Sequence, residues 1–307
     1  FSMEQGGVVI NAAIGLRAKA EWTPGASGIR LEARDLGKAI EVNDVESLDI
    51  RGPLALAAAA IRRFPAGYGN LRTECDAPPG SGLGSSGAVG VALVAALQAV
   101  RGEKPDPVGI AEAAWRVEAV DAGFPGGRQD QWAAALGGFN RFTFRDPAVT
   151  VEPLEIPAPV MEELERRIVL CYTGTSRVSS RMISRVVDGW QRRNPPVVRA
   201  LHGLVETAGA MAEALGQGDL ARIGDLLDTN WSHQQALDKG MRTDDMARLE
   251  HAMRTAGALG GKAAGAGAGG CMFFLAGGDP ARLIQVARAL GTDVFPVSWD
   301  SEGVKTC

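Results

Sequence analysis

Apolar runs and apolar–polar alternations predict the strands of this chain. Residues 6–14 form a run rich in β-branched and apolar residues, which predicts a buried strand. Residues 28–35 and Phe139–Arg145 alternate apolar with polar side chains, as strands with one exposed face do. Two further apolar segments, 167–174 and Cys271–Ala276, predict strands in the second half of the chain.

Apolar residues at helical spacing predict the helices. Residues 88–100 are almost entirely apolar but fall short of the roughly 20 residues that cross a membrane, so they predict a buried helix. A long amphipathic helix is predicted by apolar positions at i, i+3, i+4 and i+7. These positions are Leu201, Leu204, Val205, Ala208, Met211, Ala212 and Leu215. Another helix is expected to begin after Asp279 and Pro280, to end at Gly291, and to precede a strand over 293–299.

Strands and helices mix without a regular period, which predicts an α+β fold in both halves. The proline-rich segment 153–160 is typical of a domain boundary. We therefore expect one domain over residues 1–157 and a second over 158–307. The chain length of 307 residues agrees with two domains of roughly 150 residues each.

Composition narrows the functional classes. The hydrophobic fraction of 46% excludes wholesale disorder, and the net charge of −4 argues against a dedicated nucleic-acid-binding protein. The amino-terminal segment lacks the basic and apolar regions of a signal peptide, so a cytoplasmic protein without a membrane span is expected. The 4 cysteines form no CxxC pair and the 3 histidines form no metal motif, which favours reduced thiols over disulfides or a zinc site.

The 40 glycines concentrate in two clusters, and the first has the features of a phosphate-binding loop. Four glycines follow a predicted strand and precede an alanine-rich helix: Gly80, Gly82, Gly84 and Gly87. Glycines let backbone N–H groups approach an anion, and a helix amino terminus adds partial positive charge. Ser85 and Ser86 supply hydroxyls at the first turn. The alternative is a flexible loop with a serine helix cap.

Two other phosphate motifs fit this sequence less well. Residues 82–87 match the dinucleotide pattern GxGxxG, but two prolines precede them and no acidic residue ends a strand about 20 residues later. A Walker A loop would need Lys262, which has Ala256 and Ala263 where glycine and a hydroxyl residue are required.

Carboxylates follow the loop in sequence. Glu112 and Arg116 form an i,i+4 pair that is expected on the solvated face of a helix. Glu118 lies about 120° around that helix from Glu112 and needs a partner such as a metal or an arginine, although a salt bridge within the helix is an alternative. Polar residues 128–131 begin the next helix, and they are either its cap or part of a site. Asp130 is expected to be ionised at pH 7 and able to accept a proton.

The second glycine cluster, residues 257–270, leads directly into the apolar strand Cys271–Ala276. A low-complexity linker would not end in such a strand.

These motifs resemble the GHMP small-molecule kinases. Residues 78–88, PPGSGLGSSGA, are similar to the family motif PxxxGLGSSAA, and residues 265–270 are similar to its loop GAGGGG. The resemblance implies a ribosomal S5 domain 2-like amino-terminal half, a ferredoxin-like carboxy-terminal half, and the use of ATP and Mg²⁺. It implies that Ser86 and Glu118 hold Mg²⁺ and that Asp130 contacts the substrate hydroxyl. It implies that the backbone of the second glycine cluster packs closely beside the phosphates and the substrate. The residues implied to bind ATP are Pro79, Gly80, Ser81, Gly82, Leu83, Gly84, Ser85, Ser86 and Gly87.

Residues 126–140, 171–184 and 227–270 resemble one branch of this family. That resemblance implies ATP-dependent phosphorylation of the anomeric C1 hydroxyl of a sugar phosphate, with heptose 7-phosphate converted to the 1,7-bisphosphate. Fucose-, galactose- or uronate-type anomeric kinases are alternatives, and a non-catalytic ligand-sensing homologue is an alternative of another class. The implied substrate-binding residues are Arg128, Gln129, Asp130, Ser176, Arg177, Arg181 and Gly267; for Arg177 and Arg181, a solvated helix surface is the alternative.

Two departures from the branch pattern concern its substrate site. The family has a further strand and a substrate loop before the position where this chain opens at Phe1, so we expect upstream residues. Gln234 stands where the branch has a lysine, which alters any contact of that lysine with substrate. The sequence leaves the oligomeric state open.

Overall fold

The computed structural model describes residues 6–104, 106–124, 126–174 and 180–306, without the side chains of residues 180 and 181. The strands are β1 Gly7–Ala12, β2 Ala18–Pro24, β3 Ile29–Ala33, β4 Lys38–Val42, β5 Gly69–Cys75, β6 Phe139–Arg145, β7 Ala148–Pro153, β8 Ile168–Tyr172, β9 Ala258–Ala263, β10 Cys271–Ala276 and β11 Asp293–Phe295. The helices are α1 Ala55–Arg63, α2 Ser85–Val100, α3 Pro107–Arg116, α4 Gln129–Leu136, α5 Ala158–Arg167, α6 Ser180–Gln191, α7 Pro195–Gln217, α8 Leu220–Leu237, α9 Asp244–Thr255 and α10 Ala281–Ala289. A π-helical turn, Val117–Asp121, continues α3.

The mixture of helices and sheets confirms the predicted α+β class. The chain packs as two compact units whose segments interleave in sequence. The first unit comprises Phe1–Asn11, Gly80–Leu83 and Phe139–Trp299, and the second comprises Ala12–Pro79, Gly84–Gly138 and Asp300–Cys307. These are units of packing, so the expected division into family domains at 157/158 stays a prediction.

The first unit is built on two sheets. One has the strand order β11-β8-β10-β9, and its pairs β11–β8, β8–β10 and β10–β9 are all antiparallel. The other has the order β1-β6-β7. Buried residues on opposite faces of β10 enter two separate cores: Phe274 packs with Trp231 and Met246, and Leu275 packs with Leu226. The apolar run of β10 is explained by this burial on both faces.

The second unit is built on a sheet with the order β2-β5-β3-β4, in which only the β3–β5 pair is parallel. Ile29, Leu31 and Leu71 are buried on one face of this sheet, as the alternation predicts. Helix α2 buries Leu93 and Leu97 completely, which confirms the predicted buried helix. Among the described residues, no helix is both long enough and apolar enough to cross a membrane.

One predicted strand is much shorter than expected. The segment 293–299 forms a strand only over β11, and Pro296 follows directly. Proline has no N–H group to donate to a sheet, which explains the end of the strand. Trp299 instead donates its backbone N–H to a Glu165 oxygen and its indole N–H to the Met161 carbonyl, each at 2.9 Å.

Candidate active site

The two glycine clusters pack against each other within the first unit. A Cβ atom at Gly82 would lie 2.7 Å from the Ala264 carbonyl oxygen, and one at Gly270 would lie 2.6 Å from the Ser81 carbonyl oxygen. The Cys271 N–H donates to that Ser81 oxygen at 2.7 Å. Only residues without a side chain permit such close backbone contact. The second cluster therefore fixes the tip of the first, as its predicted packing role requires.

The Gln234 side chain contacts the backbone of the second glycine cluster. Its side-chain amide donates to the Gly265 carbonyl oxygen at 2.6 Å, and the residue is almost fully buried. Gly267 has a φ of +83°, and a Cβ atom there would lie 2.6 Å from the Met241 carbonyl oxygen. In this chain the residue that replaces the branch lysine thus orders the loop backbone. A substrate contact for Gly267 stays a prediction.

The first cluster continues into the amino terminus of α2 in the second unit. Gly84 is the N-cap residue, with a φ of +73°, and it has no side chain with which to cap the first turn. Ser85 and Ser86 are therefore the first two helical residues, and the alternative of a serine cap is wrong. The first N–H groups of a helix have no acceptor within it, so this uncapped turn is suited to binding an anion.

Glu118 lies beside this turn with both carboxylate oxygens engaged. The Ser86 hydroxyl donates to Oε1, and the Gln131 amide donates to Oε2. Burial raises the pKa of Glu118, the negative charge of Asp130 raises it further, and the two hydrogen bonds oppose these effects. The sequence predicted a metal or an arginine as partner, and the partners among the described residues are a hydroxyl and an amide.

A π-helical turn carries Glu118. The Ala122 N–H donates to the Val117 carbonyl oxygen at 2.9 Å, which is the i→i+5 bond of a π-helix. The estimate of 100° per residue is therefore invalid beyond Arg116. The pair that precedes the turn does obey it, because Arg116 contacts Glu112 at 3.0 Å.

Asp130 packs directly on the first turn of α2. A Cβ atom at Gly84 would lie 3.2 Å from the Asp130 Cβ, and one at Gly87 would lie 2.7 Å from it. Residue Asp130 is exposed to solvent, yet desolvation by the surrounding protein raises the pKa of its carboxyl group, and a hydrogen bond with Gln129 opposes this. Gly84 and Gly87 thus allow the Asp130 side chain to pack beside the amino terminus of α2.

The predicted substrate-binding residues have different outcomes. The Arg128 guanidinium stacks on the Trp115 ring at 4.1 Å from the ring centroid, and Gln129 is exposed. Ser176 and Arg177 lie outside the described residues. Arg181 lies in α6, and its side chain is likewise outside the described part of the chain.

Sequence reasoning included Gln131 only within the polar residues 128–131, without a role of its own, and gave Trp115 no role in the site. Gln131 follows Asp130 directly, but nothing in the sequence distinguishes its amide from that of Gln129. Only the structure shows that Gln131 is buried and that Gln129 is exposed. In the amphipathic pattern of α3, Trp115 is an ordinary apolar residue, so the pattern gave no sign of its contact with Arg128.

The donor set fits Mg²⁺, which prefers oxygen ligands and commonly takes few from the protein. The described residues contain no group of three or more His, Cys, Asp or Glu side chains able to hold a metal ion. A divalent cation here would therefore be held by the Ser86 hydroxyl, the Glu118 carboxylate and the oxygens of a bound phosphate.

Two protein-family models match segments of this chain. A family model described as the GHMP kinases N terminal domain matches residues 53–138, and one described as GHMP kinases C terminal matches residues 211–296. The first match contains the glycine loop, Glu118 and Asp130, and the second contains the second glycine cluster.

Individual relatives cover most of the chain. It is 31% identical to D-glycero-alpha-D-manno-heptose 7-phosphate kinase of Campylobacter jejuni, over 98% of this chain and 91% of that protein. It is 32% identical to mevalonate kinase of Thermococcus sibiricus over 69% of this chain and 60% of that one. A crystal structure of a D-glycero-D-manno-heptose 1-phosphate kinase from Bacteroides thetaiotaomicron superposes with a TM-score of 0.77 at 27% identity, covering 98% of this chain and 90% of that one.

Proposed function

Because the chain belongs to the GHMP kinase family, we propose that it transfers the γ-phosphoryl group of ATP to the anomeric C1 hydroxyl of a sugar phosphate. Heptose 7-phosphate is the proposed acceptor, and the 1,7-bisphosphate is the proposed product. The observation that carries this proposal is the position of Asp130, which packs against Gly84 and Gly87 at the uncapped amino terminus of α2.

Each group at this terminus has a separate proposed role. The N–H groups of the first turn bind the phosphates of ATP, as the amino termini of helices bind anions. The Ser86 hydroxyl donates a hydrogen bond to Glu118, so the lone pairs of its oxygen remain available to a cation. Mg²⁺, when bound, neutralises charge on the transferred phosphoryl group. The Asp130 carboxylate orients the C1 hydroxyl and accepts its proton.

Arginine side chains are proposed to bind the phosphate group of the substrate. Bidentate guanidinium contacts suit a phosphate, and Arg128 lies two residues before Asp130. Its stacking on Trp115 restricts the orientations of the guanidinium plane, which lowers the entropy lost when a phosphate binds. Similarity over nearly the whole chain to a heptose 7-phosphate kinase supports this acceptor class.

The position of phosphorylation needs a direct test, since the names of the two heptose-kinase relatives place phosphate at different carbons. We expect ATP consumption with heptose 7-phosphate, and ³¹P and ¹³C NMR spectra that show the new phosphate at C1. Efficient phosphorylation of an unphosphorylated fucose, galactose or uronic acid would contradict the heptose 7-phosphate proposal. The absence of any transfer to a sugar panel would favour a ligand-sensing role.

The assignment of Asp130 is tested by Asp130→Asn. We expect kcat to fall by at least about a hundredfold, because a group that accepts or orients the reacting proton contributes on this scale. The KM for ATP should change little. Turnover close to that of the wild type would remove Asp130 from the mechanism.

A further inference from the structure

Gln131 is one of the few fully buried polar side chains beside the proposed site. Only 2% of the residue is exposed. Its amide nitrogen donates to Glu118 Oε2, while its amide oxygen is buried and accepts no hydrogen bond from any described residue. A buried acceptor without a partner destabilises a folded protein. An apolar side chain of the same length would fill this position without that penalty.

The single hydrogen bond of this amide is directed at a proposed metal ligand. Glu118 projects from a π-helical turn, so its direction differs from the one that the preceding α-helix would give it. Ser86 contacts one carboxylate oxygen, and Gln131 contacts the other. Removal of Gln131 would leave the carboxylate free to rotate about the Ser86 contact.

We propose that Gln131 is a positioning residue that holds the Glu118 carboxylate in the orientation needed to bind a divalent cation. Residues that orient metal ligands through hydrogen bonds commonly change metal affinity by about 10- to 100-fold when replaced. This inference rests on the proposed function for the identity of the metal site. It concerns binding, however, and can be measured without phosphoryl transfer.

The test compares the wild-type protein with Gln131→Met and Gln131→Asn. Mn²⁺ binding to the complex of full-length protein with a non-hydrolysable ATP analogue is measured by electron paramagnetic resonance. We expect both variants to bind Mn²⁺ about 10- to 100-fold more weakly than the wild type. Methionine cannot donate the hydrogen bond, and asparagine is too short to reach Glu118. Gln98→Leu, about 18 Å along α2 from Ser86, is the control and should bind as the wild type does.

A double-mutant cycle with Glu118→Gln separates positioning from general packing. If Gln131 acts through Glu118, then Gln131→Met should cause no further loss of Mn²⁺ affinity in the Glu118→Gln background. Wild-type Mn²⁺ affinity in both Gln131 variants would overturn the inference, as would fully additive losses in the cycle. If one Gln131 variant fails to fold, as judged by circular dichroism, the other decides the outcome.

Failure of this inference is distinguishable from failure of the proposed function. A wild-type protein that binds Mn²⁺ and nucleotide but phosphorylates no sugar phosphate would contradict the proposed reaction. The contribution of Gln131 to Mn²⁺ affinity would still be measured in that protein. Conversely, an active wild type with an unchanged Mn²⁺ affinity in both Gln131 variants would contradict only the role of Gln131.

Discussion

Gly87→Ala tests whether the contact between α2 and Asp130 sets the catalytic geometry. A Cβ atom at Gly87 would lie 2.7 Å from the Asp130 Cβ and 3.1 Å from the backbone nitrogen of Gln131. Carbon atoms prefer separations of about 3.5–4.0 Å, so the start of α4 must move by about 1 Å. Displacement of a reacting group by about 1 Å commonly lowers the rate by about a hundredfold. We therefore expect kcat to fall on that scale.

The stability of Gly87→Ala should change much less than its activity. Overpacking costs about 1–3 kcal/mol, and the better helix propensity of alanine returns about 0.5–1 kcal/mol. A net loss of about 1 kcal/mol in the free energy of unfolding is expected from urea titration. Steady-state assays with ATP and the best sugar phosphate measure kcat for the same preparation.

Gly90→Ala is the matched control on the same helix. A Cβ atom at Gly90 would lie 3.7 Å from the Ala114 Cβ, which is an ordinary contact. This variant should keep wild-type kcat and gain about 0.5–1 kcal/mol in stability. Wild-type kcat in Gly87→Ala would refute the reasoning, and so would an equal loss of activity in Gly90→Ala.

Three further predictions concern Glu118, Trp115 and Cys171. Because the pKa of Glu118 is raised in the folded state, its contribution to stability is present below the ordinary carboxyl pKa and is lost as the pH rises through the raised value. Urea unfolding across this range, in the absence of metal, should show a smaller loss for Glu118→Gln than for the wild type; equal losses would contradict the shift. Trp115→Leu should raise the KM for the sugar phosphate about fivefold and leave the KM for ATP unchanged, because the stack that orients Arg128 is lost. Initial-rate kinetics would check this, and an equal rise in both KM values would count against a role in substrate binding. Burial raises the pKa of Cys171 to about 12, so iodoacetamide at pH 8 should modify it far more slowly than the half-buried Cys75 in native protein, as followed by peptide mass spectrometry.

Local patterns predicted much of the secondary structure. Strands β6 and β10 have the predicted bounds, and the long amphipathic pattern lies within α7. Burial on one face or on both produces these patterns directly, so they can be recognised in the sequence. The length of strand β11 was overestimated because the strand ends at Phe295, and Pro296, which follows, has no N–H group to donate to a sheet.

The two glycine clusters and the spacing of Ser86, Glu118 and Asp130 were also recognisable before the structure. A loop that approaches an anion needs glycines and a helix terminus, and both needs are local in sequence. The family resemblance added the roles of these residues. The packing of Gly82 on Ala264 and of Gly270 on Ser81 then shows why glycine is required at two of the positions.

The partners of Glu118 and the contact between Gly87 and Asp130 were decided by tertiary structure alone. Each joins segments far apart in the chain, and no periodic pattern encodes which side chains meet there. The π-helical turn redirects Glu118 out of the phase that the preceding helix predicts, and the buried Gln131 amide donates a hydrogen bond to its carboxylate. Sequence by itself therefore determined much of the secondary structure and the candidate residues for the proposed chemistry, because these follow from local composition and spacing. Packing decided the orientation of the reacting groups, because orientation depends on which distant atoms exclude one another.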